Sequence, residues 1–345
     1  MPFKHLLDSS IKSRALEYAQ TNLSNFMIDL FLSEACNLRC KHCYFGSHTP
    51  QEQLLTTEQW ISIISDLVKM GCRHIHFSGK ESLLSASLFH VVKYLDELRK
   101  IYPDLYWGFI TNGTSVTPEE YSSILKTSIG YLEISLDGGE KQHDYIRGLG
   151  TFGKVLNTIS KLNDLSKVNI AYTISQSNSD DFSMIISRLY MMGIKKFYCS
   201  PLQIKGRALD NQLCEITPKK YIEVIEKIKY LLSTGNLHDV NVKFSLPSAY
   251  VTYLMESDIY LGELKEYFKS GKKVFWKYDS NVIELSLHTI SIPLFAQASI
   301  TSDGQILASS DKVDDLNNYG RYTTIDNFMK LRSLCIIKYF KYNGN

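Results

Sequence analysis

The chain predicts an α/β protein built on a parallel sheet. Short β-rich runs alternate with longer segments of helical spacing, and residues able to hold a ligand fall at the ends of the β runs. Regular βα alternation argues for parallel strands with helical crossovers. In such folds ligands collect at the carboxyl ends of the strands.

Residues 1–25 are polar, with apolar positions at Leu6, Leu7, Ile11 and Leu16, and read as a leading helix and linker. A first strand is expected over Phe26–Ser33. Five more follow at Arg73–Ser78, Leu105–Thr111, Gly130–Ser135, Lys167–Ser175 and Ile194–Pro201. Helical patterns lie between and after them at Thr57–Met70, Leu84–Lys100, Pro118–Lys126, Gly153–Leu165, Asp180–Met192 and Pro218–Thr234. Thr56 or Thr57 before Glu58-Gln59-Trp60, and Thr117-Pro118-Glu119-Glu120, are helix starts: a capping hydroxyl, early acids and, in the second, Pro at the first helical position.

From about Ser245 the rhythm changes. Asn241–Leu246 reads as a strand and Ser248–Lys269 as a helix. Val282–Leu287, Ile290–Phe295, Ala298–Thr301 and Gln305–Ala308 are β-prone, with Asp303-Gly304 as a hairpin turn, and Thr324–Ile337 is a closing helix. Three regions are expected: residues 1–25, a main α/β body over 26–245, and a small α+β extension over 246–345.

Hydrophobic content of 44% and charged content of 21% are those of an ordinary globular protein. A net charge of +2 without a basic block argues against a nucleic-acid partner. No uncharged run approaches ~18 residues, so no membrane span is expected, and the start lacks the apolar core of a signal peptide. The seven cysteines are odd in number with three bunched together, unlike a secreted disulfide framework, and point to a reducing cytoplasm.

The bunched cysteines are Cys36, Cys40 and Cys43, spaced C-x3-C-x2-C directly after the first strand. Thiolates this close converge around a metal centre. Tetrahedral zinc wants four protein ligands, and here only His42 or His48 is near enough to be the fourth. An iron–sulfur cube held by three thiolates leaves one iron open to a small molecule.

With the aromatic Tyr44 after the third cysteine, this stretch resembles the signature of the radical S-adenosylmethionine (SAM) superfamily. The resemblance implies a partial (β/α)6 barrel and a [4Fe-4S] cluster on Cys36, Cys40 and Cys43. Its open iron would be chelated by the amino and carboxylate groups of SAM, with Tyr44 among the cofactor-binding residues. Gly79-Lys80-Glu81-Ser82 is similar to the family's Gly-Gly-Glu-Pro, which binds the SAM amino group; Lys80 and Ser82 depart from it, and Lys80 is a candidate to project into the pocket. Thr111-Asn112-Gly113 is similar to a family turn lining the SAM site. Ser135-Leu136-Asp137-Gly138 with His143-Asp144-Tyr145-Ile146-Arg147-Gly148 resembles the MoaA/SPASM-type branch; by that match Ser135 faces the ribose and Arg147 the SAM carboxylate. Leu202 takes the family's adenine-packing role, and Gly206-Arg207-Ala208 is similar to the same branch.

The extension resembles the start of a SPASM or twitch domain, whose cysteines hold auxiliary clusters. Here Ala308, Ser309 and Ser310 stand where the first is expected and only Cys335 follows. One thiol cannot hold a cube, so a degenerate extension and a single cluster are expected. Cys199, placed at a strand end, and Cys335 are the candidate hydrogen donors to a radical.

The implied reaction is reductive cleavage of SAM and hydrogen abstraction from a substrate, with electrons from a flavodoxin- or ferredoxin-type donor. A peptide is the preferred substrate, to be epimerised, crosslinked or oxidised. A sugar, aminoglycoside or amino acid is the alternative, favoured by the short stretch ahead of the first strand, which leaves no leader-peptide domain. A non-catalytic iron–sulfur or SAM-binding protein and a zinc-binding protein are the readings of another class.

Overall fold

A computed structural model of the chain describes residues 27–45, 53–270, 273–288, 297–307 and 318–331. Its strands are β1 (Met27–Leu30), β2 (His74–Phe77), β3 (Tyr106–Thr111), β4 (Tyr131–Ser135), β5 (Val168–Ile174), β6 (Lys196–Pro201), β7 (Asn241–Pro247), β8 (Val274–Tyr278), β9 (Asn281–His288), β10 (Gln297–Ile300), β11 (Gln305–Leu307) and β12 (Asn318–Arg321). All belong to one sheet in the order β12-β11-β10-β1-β2-β3-β4-β5-β6-β7-β9-β8.

β1 to β6 are the strands that the βα rhythm predicts, and each pairs parallel with the next. The parallel order then runs on through β7 and β9, while β10 pairs parallel with the outer side of β1. The segment after Ser245 therefore supplies strands to both ends of the row. The ends, β12 and β8, are not paired with each other, so the barrel is partial.

Local signals place the crossovers. Thr56 and Gln59 form a reciprocal capping box on the helix Thr57–Lys69, and Thr117 with Glu120 does the same for Pro118–Leu125. Where one helix was expected over Ser248–Lys269 there are two, Ser248–Glu256 and Leu261–Ser270. Asp258 and Tyr260 between them have φ of 56° and 54°, and left-handed backbone ends a right-handed helix. β8, which the sequence reading missed, is an edge strand in an antiparallel hairpin with β9. The Asp303-Gly304 hairpin joins β10 to β11 as expected. The predicted leading helix, Ile290–Phe295 and Ala308–Ser310 lie outside the described residues, as does the closing helix beyond residue 331.

The sheet has two chemically distinct faces. On one, Phe77, Trp107, Phe109, Ile134, Tyr172, Phe197 and Phe244 are buried against helix residues such as Trp60, Leu67, Leu95, Tyr121, Ile159 and Tyr221. The other face carries His76, Glu133, Ser135, Thr173, Tyr198 and Ser200, which line a cavity. No described helix is long and apolar enough to cross a membrane.

The Tyr221 hydroxyl lies 3.2 Å from the Cys199 carbonyl of β6 and 2.8 Å from the Ser245 carbonyl of β7, fully buried. Tyr221→Phe should lower stability by ~1–2 kcal/mol, read as a shifted urea midpoint with an unchanged m-value.

Candidate active site

The loop after β1 begins with Phe31, which packs edge-on against Phe45 with ring centroids 4.9 Å apart. Backbone bonds hold the loop from three sides. Glu81 N–H donates to the Ala35 carbonyl (3.1 Å), Lys41 N–H to the Ile146 carbonyl (2.8 Å) and Arg207 N–H to the Cys43 carbonyl (3.0 Å). Arg207 adds a bond from Nε to the Cys40 carbonyl at 2.9 Å, and Asn211 one from Nδ2 to the Lys41 carbonyl at 3.3 Å.

Gly206 makes this approach possible. Its φ is +50°, and a Cβ there would stand 2.6 Å from the Tyr44 carbonyl oxygen and 2.7 Å from that of Cys43. Gly79, at φ +93°, similarly lets the loop after β2 lie against the Phe31 ring.

Cys36, Cys40 and Cys43 open onto one cavity of about 520 Å³. Tyr44, Gly79, Lys80, Glu81, Asn112, Ser135, Arg147 and Leu202 line it as well, so every expected metal or cofactor residue meets there. Burial pushes the Cys40 thiol up, with Cys43 and Asp137 acting in the same sense and Arg147 and Arg207 opposing. Cys36 is raised by burial too, and by Glu81 and the other two cysteines. Among the described residues no three Cys, His, Asp or Glu side chains converge as they would on a single metal ion. A cube differs in offering each thiolate its own iron. Three thiols on one wall, with two guanidiniums to offset their charge, fit that group.

Glu81 is buried, and burial pushes its carboxyl up. Thr111 Oγ1 donates to Oε1 at 2.8 Å and Asn112 N–H to Oε2 at 2.9 Å. No described lysine or arginine pairs with it, which suits a carboxylate meant for a ligand's ammonium group. The Asn112 side chain is engaged with the cysteine loop, donating to Asn37 Oδ1 at 2.8 Å.

Arg147 does not stand alone. Its Nε donates to Asp137 Oδ2 at 2.6 Å, and Thr173 N–H donates to Oδ1 of the same carboxylate at 2.7 Å. His42 Nε2 lies 3.3 Å from Asp137 Oδ2. Burial acts to raise Asp137, but Arg147, His42, His143 and the Thr173 amide outweigh it and hold the carboxyl below its usual range. Burial and then Arg147 hold His42 down to about 4, so that imidazole is neutral. Arg147 Nη2 also lies 3.4 Å from His42 Nε2, and the guanidinium lines the cavity.

Lys80 lines the cavity with its ammonium 2.9 Å from Glu34 Oε2, and Ser302 of the β10–β11 turn donates to Oε1 of the same carboxylate. Cys199 requires a correction. β6 presents Tyr198 and Ser200 to the cavity, while Cys199 points to the opposite face, fully buried in the apolar core, where burial pushes its thiol well up. Strand alternation makes the two faces exclusive. Cys335 lies outside the described residues. The sequence reading missed His76, Glu133 and Tyr198 as cavity residues and Arg207 as the clamp on the cysteine loop.

Residues 30–189 match the sequence profile of the Radical SAM superfamily. The chain carries a radical SAM domain. That superfamily uses a [4Fe-4S] cluster and SAM. The radical SAM region is 31% identical over 185 residues to the sporulation killing factor maturation protein SkfB of Bacillus subtilis, covering 52% of this chain and 43% of that protein. It is 29% identical over 186 residues to pre-heme d1 synthase of Dinoroseobacter shibae, covering 52% and 44%. The chain thus spans less than half the length of these curated relatives. In fold it is similar to Streptococcus suis SuiB bound to precursor peptide SuiA, with a TM-score of 0.65 at 12% identity, covering 90% of this chain and 65% of that one.

Two variants probe this radical SAM site. Gly206→Val should weaken cluster retention roughly 10–100-fold, read as iron lost to a chelator, with an unchanged far-UV circular dichroism spectrum. Cys199→Ser should lower the melting temperature by burying a hydroxyl, yet leave bound iron and 5′-deoxyadenosine formation as in the parent.

Proposed function

We propose that this protein is a radical SAM enzyme that modifies a peptide. The observation that carries the reading is the single cavity in which three cysteines face Glu81 after β2, Ser135 at the end of β4, Arg147 on the helix that follows it and Leu202 after β6. Glu81 would take the amino group of SAM, Arg147 its carboxylate, Ser135 the ribose and Leu202 the adenine. Cys36, Cys40 and Cys43 would hold the cluster, which would supply the one-electron reduction that cleaves SAM and permits hydrogen abstraction from a substrate.

The chain's own work is positioning and exclusion of water. Asp137 fixes the plane of the Arg147 guanidinium through its Nε and His42 Nε2 lies 3.4 Å from Nη2, so the face turned to the cavity is set for a carboxylate. Thr111 and Asn112 aim Glu81, and the clamp from Arg207 keeps Cys40 and Cys43 in register with the strand ends. Cys36 is the exposed member of the three, and we assign its side of the loop to a flavodoxin- or ferredoxin-type electron donor. Cys335 is the only cysteine among residues 215–345, too few thiols for a second cluster within that stretch.

For the substrate, the likeness to a maturation protein favours a peptide, and SuiB holds a precursor peptide on a similar fold. The likeness to pre-heme d1 synthase supports a small molecule as the second reading.

After anaerobic reconstitution the chain should bind about four irons and, with dithionite and SAM, form 5′-deoxyadenosine. Cys36→Ala should abolish both, and Glu81→Gln should raise the KM for SAM by roughly tenfold or more. Eight irons would refute a single cluster. Turnover stimulated only by a small metabolite, and by no peptide encoded beside the gene, would refute the peptide reading.

A further inference from the structure

Beneath the strand ends the cavity continues to a floor that the cofactor assignments do not use. Glu133 lies there, two residues below Ser135 on the same face of β4 and roughly 7 Å deeper. Its carboxylate receives no hydrogen bond from a described residue and feels only the charges of His76 and Lys243 at a distance, so burial pushes it up. Lys243 has its own partner, with Nζ 3.8 Å from Glu284. Beside Glu133 in the β4–β5 register is Asn169, whose side-chain oxygen is buried without a donor.

The surrounding residues are fixed. Gly108 on β3 is in register with Tyr131, and a Cβ there would stand 2.6 Å from that ring. The Tyr131 ring therefore crosses β3, stacks on His76 with centroids 5.6 Å apart and hydrogen-bonds Nδ1 of that imidazole. Tyr198, pushed up to about 12 by burial, adds a neutral phenol to the cavity wall. Three other charged groups along the cavity have partners: Lys80 is paired with Glu34, Arg147 with Asp137, and Glu81 is held by Thr111 and Asn112, while Arg39 lines the cavity from the cysteine loop.

We propose that this floor is a substrate subsite for the cationic head of an extended side chain, an alkylammonium or alkylguanidinium, with Glu133 as counter-charge. A carboxylate facing an enclosed cavity without protein donors is costly, and a cation carrying several N–H groups satisfies it best. The depth below Ser135 selects a long, narrow group such as a lysine side chain, whose stem would run past the SAM-facing strand ends toward Glu133. The assignment rests on the radical SAM reading of the upper cavity, and Glu133 acts there as a specificity-determining residue.

The test uses the reconstituted full chain with SAM bound. Calorimetric titrations compare Nα-acetyl-lysine N-methylamide, its norleucine counterpart and n-butylammonium. The lysine amide should bind at least roughly tenfold more tightly than the norleucine amide, and Glu133→Gln should erase that preference. Butylammonium binding as tightly as the lysine amide would assign the subsite to a free amine, and weaker binding to a peptide side chain; either supports a cation site. Equal affinities for the lysine and norleucine amides, no saturable binding, or a preference surviving in Glu133→Gln would overturn it. If that variant does not fold, Glu133→Asp decides: a reduced preference supports the subsite and an unchanged one overturns it. The same samples, assayed for 5′-deoxyadenosine, report separately on the radical SAM reading. A lysine preference without any deoxyadenosine would leave the subsite and remove the chemistry.

Discussion

A carboxylate with no solvent contact must receive a full set of donors from the protein, and the site depends on how Asp137 obtains them. Its two oxygens take Arg147 Nε, the Thr173 amide and the edge of His42, which belong to the helix after β4, to β5 and to the cysteine loop. Its own backbone N–H donates to His143 Nδ1, and its carbonyl accepts from Asn178. One side chain thus ties three separate pieces of chain to the end of β4. Arg147 cannot swing away from the cavity without leaving a buried charge unpaired, and His42 cannot shift without moving Cys40 and Cys43 on either side of it.

The second clamp is complementary. Asp137 acts through charge, whereas Gly206 and Arg207 act through close backbone approach, and the two reach the cysteine loop from different strand ends. Between them the loop has little freedom, although it contains no regular secondary structure. A cluster-binding loop benefits from this arrangement, because its ligands are positioned before the cluster arrives and less ordering accompanies binding.

Much of this was legible in the sequence, and the limits have physical causes. The capping boxes at Thr56 and Thr117 are local, three residues across, and were read directly. The cysteine spacing and the strand-end positions of Glu81, Ser135 and Arg147 also depend only on element order. Cys199 was assigned to the wrong face because Tyr198, Cys199 and Ser200 leave strand parity ambiguous, and packing against Tyr221 and Phe244 decides it. The roles of Arg207 and Asn211 depend on partners far away along the chain. The floor residues His76 and Glu133 carried a readable signal, polar side chains two apart in β runs, each on the same face as the next (His74 and His76, Glu133 and Ser135). They went unread because polar residues within strands are more often solvated than enclosed. The break at Asp258 and Tyr260 has only a weak signal in residue type, since aspartate tolerates left-handed backbone but tyrosine seldom adopts it.

The pairing of β10 with β1 bears on how the molecule is made. β1 leads straight into the cysteine loop, and its outer edge is covered only when Gln297–Ile300 lies alongside it and Ser302 reaches Glu34. Contacts between strands as far apart in the chain as β1 and β10 close late in a folding process, because the intervening chain must be ordered first. During synthesis from the N-terminus, the cysteines emerge and their flanking strand waits with an open edge until nearly the whole sheet exists. The strand that leads into the cysteine loop is therefore among the last in the sheet to gain its second neighbour.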